Sequence, residues 1–208
     1  MTIKALTEKL LLQFSTRTYK DRPLIVAIDG LSGAGKTTLV KKIEQELNIN
    51  NKLVILHIDD HIVKKNKRYQ TGYEEWYEYY YLQWDIKLLA TKLFEVLKNS
   101  IKDINLPFYN KSTDTITTKQ ISVTSDSIIL IEGVFLQRKE WREFYDFIIF
   151  LDCPREVRYE RILNRDSYIG DKQAILLKYK RRYWLGEEHY LDIENPTRNA
   201  DIIYNACI

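Results

Sequence analysis

This 208-residue chain has only two cysteines, Cys153 and Cys207. That count excludes a framework of several disulfides and gives no zinc-ligand spacing. No apolar run approaches the roughly 20 residues needed to span a bilayer. The first residues lack the basic, apolar and small-residue order of a secretory signal. Membrane association is therefore not expected, and a cytoplasmic location is. A formal net charge of +3 is too small to argue for nucleic-acid binding by itself. His57, His61 and His189 show no transition-metal spacing. Repeats and low-complexity linkers are absent, so one domain spanning 1–208 is expected.

What is present is an alternation. Short apolar runs at Leu24–Ile28, Leu53–Ile58, Ile128–Ile131, Phe147–Leu151 and Ile202–Tyr204 predict strands buried on both faces. Helical patterns fall at the N-terminus and over 37–47, 73–97, 138–144, 154–166 and 172–190. The expected fold class is α/β: a parallel sheet flanked by helices. The segment 98–127, with Pro107 and several Thr and Ser, reads as a loop or small hairpin.

Between the first strand and the next helix lies Gly30-Leu31-Ser32-Gly33-Ala34-Gly35-Lys36-Thr37-Thr38. It has the spacing of a phosphate-binding loop. Glycines let the backbone curl so that successive N–H groups, including those of Ser32, Ala34 and Thr38, can face phosphate oxygens. Lys36 suits the β- and γ-phosphates, and the Thr37 hydroxyl suits Mg²⁺. The helix that follows sets its positive end against the anion. Lys36 is expected to face solvent in the free loop.

Further segments carry charge where such a site needs it. Asp59 and Asp60 end the second apolar run, where an acid can take a hydroxyl proton or hold Mg²⁺. Glu132 ends the run Ile128–Ile131 and is a second candidate metal ligand. Arg158, Arg161 and Arg165 share one helix face and suit phosphate oxygens, although pairing with nearby Glu and Asp is an alternative. From Arg155 to Arg182 there are nine Lys or Arg against four Asp or Glu. This stretch, about 155–182, reads as a phosphate-gripping lid. Interspersed acids argue against a nucleic-acid stripe. Tyr73, Trp76, Tyr77, Tyr80, Tyr81 and Trp84 form one stripe on a single helix. Most are expected to be core, with one or two, such as Tyr80, holding an acceptor.

Taken together, these segments resemble the uridine kinase and phosphoribulokinase-like group of P-loop kinases. The resemblance rests on Ile28–Thr38, Ile58-Asp59-Asp60-His61, Leu106-Pro107-Phe108-Tyr109, Ile131-Glu132-Gly133 and Arg161-Ile162-Leu163-Asn164-Arg165-Asp166. It implies a five-stranded parallel sheet with a small helical lid, and transfer of the γ-phosphoryl of ATP to a hydroxyl of a small metabolite, with Mg²⁺. By position it implies Asp59 as base and metal-associated acid, with Asp60 as its neighbour, and Glu132 as the Mg²⁺-supporting acid. Arg161 and Arg165 resemble the arginines that grip ATP phosphates, and Tyr109 the aromatic that packs on the acceptor. Acceptor contacts fall in an insertion of about 60–127. There Asp85 is all that stands for an expected acidic cluster, and Asp114 stands where a base-reading His is usual. The lid lacks an arginine after Gly170. Uridine, another nucleoside, a sugar or a vitamin all stay open as acceptor, and so does homo-oligomerisation. The rival reading is a nucleotide-driven ATPase or switch acting on a partner.

Overall fold

A computed structural model of the chain describes residues 1–47, 52–99 and 103–205. Cys207 lies outside them. The five expected strands all form and make one parallel sheet. They are β1 (Leu24–Gly30), β2 (Leu53–His57), β5 (Ile128–Gly133), β6 (Phe147–Asp152) and β7 (Ile202–Asn205), in the order β2-β5-β1-β6-β7. The segment 98–127 resolves into the hairpin reading: β3 (Asp103–Asn110) and β4 (Thr115–Ser122) pair antiparallel.

Strand alternation explains the two cores. In β1, Leu24, Val26 and Ile28 face the helices α1 (Ile3–Thr16) and α2 (Lys36–Leu47), packing with Leu6, Leu10, Val40 and Ile43. Ile25 and Ala27 face the opposite layer, with Leu89, Leu93, Phe94 and the hairpin residues Ile104 and Leu106. Every residue of β1 is buried, as continuous apolar runs require in a sheet covered on both sides.

Two helix expectations need correction. The pattern over 73–97 is not one helix. The helix Glu75–Tyr81 ends where the Leu82 N–H bonds Glu78 O. Trp84 then leaves helical geometry, because its indole Nε1 donates to Ile58 O (2.9 Å) and its backbone bridges to Ile62. Asp85 accepts from Leu88 N (3.0 Å) and caps a second helix over 86–98, which carries a π turn at Ala90–Phe94. The segment 138–144 holds only a 3₁₀ turn, Arg142–Phe144. Its helix-like spacing comes from packing: Arg138 and Trp141 are fully buried, with Arg138 donating to Tyr80 O and Trp141 to Ile86 O. The remaining longer helices are Arg155–Arg165 and one over 172–194 with a π turn at Tyr179–Tyr183; single turns lie at Lys65–Arg68 and Pro196–Asn199.

Candidate active site

Lys36, Asp59 and Glu132 sit at the carboxyl ends of β1, β2 and β5, the usual ligand side of an open sheet. Register does the positioning. Glu132 pairs with Ile28 of β1 on one side and with His57 of β2 on the other. It therefore lies between the start of the phosphate loop and the acids after β2. Gly133 is required because the chain passes close to Ile58: a Cβ there would stand 2.1 Å from Ile58 Cγ2. Within the loop, Gly33 has a positive φ of 78°, and a Cβ there would lie 2.8 Å from the Arg158 carbonyl.

A cavity of about 800 Å³ opens on one side of the loop. Ser32, Lys36, Asp59, Tyr109 and Arg165 line it; Asp60 does not. A second cavity of about 320 Å³ lies on the other side, lined by Ala34, Gly35, Thr38, Lys42, Arg161 and the end of β7. The loop thus separates two spaces, with Lys36 facing one and Thr38 the other.

Lys36 is half-buried on the cavity wall rather than extended into solvent. Its Nζ folds back onto Gly30 O (2.8 Å) and Leu31 O (3.1 Å). Burial pushes its pKa below the ordinary lysine value, while Glu132, Asp59 and Asp29 pull it up. Asp59 is exposed on the cavity wall yet densely surrounded by protein. Its pKa is raised first by desolvation, with Glu132 adding to the rise and Lys36 opposing it. Glu132 Oε1 accepts from Thr37 Oγ1 (3.1 Å) and contacts His57 Nδ1 (2.6 Å). Desolvation would raise Glu132, but the His57 hydrogen bond and Lys36 hold it below its ordinary value.

The three arginines of the lid helix divide. Arg158 is buried and structural: Nη1 donates to Ser32 O (3.0 Å) and Glu187 Oε2 (2.9 Å). Arg161 Nη1 donates to Ala34 O (3.2 Å) and Gly33 O (3.3 Å), on the second-cavity side. Arg165 lies on the large-cavity side, held by Asp166 (2.7 and 3.0 Å) and the Tyr179 hydroxyl (3.2 Å). The sequence thus brings Arg161 and Arg165 to the loop, but on opposite flanks.

Two candidate acceptor contacts are placed elsewhere. Tyr80 is 3 % exposed, and its hydroxyl donates to Glu194 Oε1 (3.1 Å); it does not line the cavity. The neighbouring Tyr79 does, 3.4 Å from Ser32 Oγ, because helix rotation turns that ring toward the loop. Asp85 is spent on its helix cap. Tyr109 lines the cavity from the hairpin, and its hydroxyl donates to Asp114 Oδ1 (2.9 Å) and accepts from Arg68 Nη2 (3.2 Å). Asp114 holds Tyr109 and Lys65 N in place at the hairpin turn.

Sequence reasoning missed Glu187. It is 1 % exposed and accepts from Ser32 N (2.7 Å) while pairing with Arg158. It joins the loop from 155 residues away in sequence, so no local pattern marks it. Arg68 and Tyr179 were missed because their partners Tyr109 and Arg165 lie 41 and 14 residues away; the pairing of a lid arginine with Asp166, left open as an alternative, holds for Arg165.

Strand, phosphate loop and helix, with an acid after β2 and an arginine-bearing helix over the loop, define a P-loop kinase. Known proteins agree. The chain is 29% identical to a uridine kinase from Halalkalibacterium halodurans over 189 residues, covering 88% of this chain and 85% of that protein. It is 29% identical over 152 residues to a uridine kinase from Lactobacillus helveticus, covering 70% and 69%. The structure of a possible uridine kinase from Bacillus stearothermophilus superposes with a TM-score of 0.80 at 40% identity, covering 98% of this chain and 97% of that one. The model of the phosphoribulokinase / uridine kinase family matches residues 25–195. The chain belongs to that family and is a kinase phosphotransferase, with ATP as phosphate donor. Membership favours the kinase over the ATPase or switch reading.

Proposed function

We propose that this protein transfers the γ-phosphoryl of ATP to a hydroxyl of a small metabolite held in the large cavity. The observation that carries the reading is the sharing of one cavity wall by Lys36, Asp59, Arg165 and Tyr109. The acceptor hydroxyl gives its proton to Asp59, whose raised pKa moves it toward useful basicity. Lys36 releases the loop carbonyls and follows the charge of the β- and γ-phosphates. Arg165 approaches the transferred group from the acceptor side and Arg161 from the other, where the rest of the nucleotide reaches the second cavity. Tyr109 packs against the acceptor. Asp60, off the cavity wall, supports the turn.

Oxygen donors for Mg²⁺ are present: Thr37 Oγ1 and Glu132 Oε1 are 3.1 Å apart, and Asp59 and Glu132 feel each other's charge. Among the described residues, no three His, Cys, Asp or Glu side chains gather as a metal cage. That fits Mg²⁺, which takes one or two carboxylates and completes its shell with water and phosphates. Thr37, Glu132 and Asp59 would hold it, and bound there it supplies neutralisation of phosphate charge.

The chain works as a single domain, with a lid over about 155–182 and an acceptor-side insertion over about 60–127, in the cytoplasm. No helix among the described residues is long and apolar enough to cross a membrane. The test is ADP release with ATP, Mg²⁺ and a panel of hydroxyl compounds. Turnover should be slow without acceptor and fast with the right one. Lys36→Ala should lower it by on the order of 10²-fold or more while the fold survives. An acceptor-independent rate equal to the stimulated one would overturn the proposal.

A further inference from the structure

We propose that the acceptor is an organic anion, a hydroxyl compound that also carries a phosphate or carboxylate group, anchored by Arg68 on the hairpin side of the large cavity. This rests on the kinase reading and narrows its acceptor. Arg68 lines the cavity and is 5 % exposed. Its Nε donates to Val63 O (2.8 Å) and its Nη2 to the Tyr109 hydroxyl (3.2 Å). Its guanidinium lies 4.7 Å from the Tyr69 ring centre and 5.2 Å from that of Tyr109.

A buried charge normally has a counter-charge. Three other buried arginines obey this: Arg22 pairs with Asp146, Arg158 with Glu187 and Arg182 with Glu78. Among the described residues Arg68 has no carboxylate in an ion pair. Asp114 makes no ion pair with it: the two are bridged by the Tyr109 hydroxyl and feel each other's charge at longer range. Arg138 also lacks a carboxylate, but it sits among Tyr80, Trp84 and Trp141, away from either cavity. Arg68 alone of these two borders a space that a ligand can enter.

The rest of the wall has the same sign. Lys65, Lys111 and Lys178 line the cavity beside Arg68, and none is in an ion pair among the described residues. The acids on the wall are Asp59, assigned to the hydroxyl, and Asp166, already paired with Arg165. Lys36 and Arg165 serve the donor phosphates. The remaining cations exceed what a neutral nucleoside can use. A concave wall of one charge sign concentrates ligands of the other. The guanidinium fork matches two oxygens of a carboxylate or phosphate.

In the reaction the anion stays unchanged and aims the hydroxyl. The acceptor oxygen forms a bond to Pγ as the bond from Pγ to the β,γ-bridging oxygen breaks. That electron pair leaves on ADP, and the hydroxyl proton passes to Asp59 and then to water. The products are the acceptor phosphate ester, ADP and a proton.

The experiment titrates inorganic phosphate into the full-length protein saturated with ADP and Mg²⁺, so that the donor site is filled. Phosphate should bind, and Arg68→Gln should weaken it by on the order of 10-fold or more, since a charged hydrogen bond is lost. Arg68→Lys should restore part of the affinity. If Arg68→Gln fails to fold, the double variant Lys111→Ala/Lys178→Ala should weaken phosphate several-fold. A turnover arm compares ribose 5-phosphate with ribose, and glycerate with glycerol, under ATP and Mg²⁺. Faster turnover of the phosphate ester assigns the anchor to phosphate; faster turnover of the hydroxy acid assigns it to carboxylate. The proposal is overturned if phosphate does not bind the ADP-saturated protein. It is overturned equally if a folded Arg68→Gln binds phosphate as tightly, or if uridine outpaces every anionic compound. ATP binding by the same preparation separates these results from failure of the kinase reading, which would show as no ATP binding at all.

Discussion

Replacing Glu187 with Gln tests whether the phosphate loop is shaped from outside itself. The carboxylate accepts from the Ser32 N–H (2.7 Å) through one oxygen and from Arg158 Nη1 (2.9 Å) through the other. Glutamine offers one acceptor oxygen and turns an NH₂ toward the second donor. If Ser32 N–H loses its partner, an unsatisfied buried donor costs about 1–3 kcal/mol. Whichever donor is kept, Arg158 loses its counter-charge while only 4 % exposed. It retains the Ser32 and Cys153 carbonyls as acceptors. Breaking a buried ion pair by removing one partner costs about 3–5 kcal/mol, and that cost dominates. For a chain of this size 1 kcal/mol moves Tm by about 2–4 °C, so a fall of roughly 6–20 °C is expected. Thermal melting measures it. The KM for ATP should rise as well, because the Ser32 segment loses its outside tether. The double variant Glu187→Gln/Arg158→Met should recover much of the Tm, since no buried charge is then left without its partner and the glutamine oxygen can still accept from Ser32 N–H. A Glu187→Gln protein melting within about 2 °C of the parent would refute the reasoning.

Asp59→Asn should reduce acceptor phosphorylation by on the order of 10²-fold or more while ATP still binds, and Asp60→Asn should have the smaller effect; steady-state kinetics of both variants decide the assignment, and the reverse order would show it to be mistaken. At the other end of the sheet, Asp146 accepts from Arg22 Nη1 and Nη2 (2.7 Å each) and from Ile25 N (2.9 Å). Burial would raise its pKa, but the Arg22 pairing, the Ile25 N–H and Lys98 hold it below 3.8. A depressed carboxylate stabilises the fold fully above its unfolded pKa, and that contribution is lost as pH falls through the folded value. Asp146→Asn should therefore cost roughly 3 kcal/mol at neutral pH and flatten the acid limb of the stability curve below about pH 4; chemical denaturation at pH 7 and pH 3.5 checks both, and an unchanged acid limb would sink the assignment.

The sequence by itself determined the sheet and the phosphate loop. A strand buried on both faces must be apolar along its length, so β1, β5 and β6 announce themselves locally; the edge strands β2 and β7 are only partly buried but still carry apolar runs. The loop is equally legible, because curling a backbone around phosphate requires glycines at fixed offsets from Lys36 and Thr37. Asp59 and Glu132 could be named because each ends such an apolar run, whereas Tyr109 came only from the family resemblance of Leu106-Pro107-Phe108-Tyr109. Elsewhere periodicity misled. The aromatic spacing of Tyr73 to Trp84 suits one helix, but Trp84 bonds Ile58 O and the helix stops at Tyr81. The ring that reaches the cavity is then Tyr79, off the stripe, and Tyr80 goes to Glu194. Tertiary structure alone decided which flank of the loop each lid arginine takes and that Arg158 is structural. It alone brought Glu187 to the Ser32 N–H and left Arg68 facing the cavity without a carboxylate partner among the described residues. Those outcomes depend on contacts between residues far apart in the chain, and burial sets their energies. Neither separation in space nor burial is written in a local run of residue types.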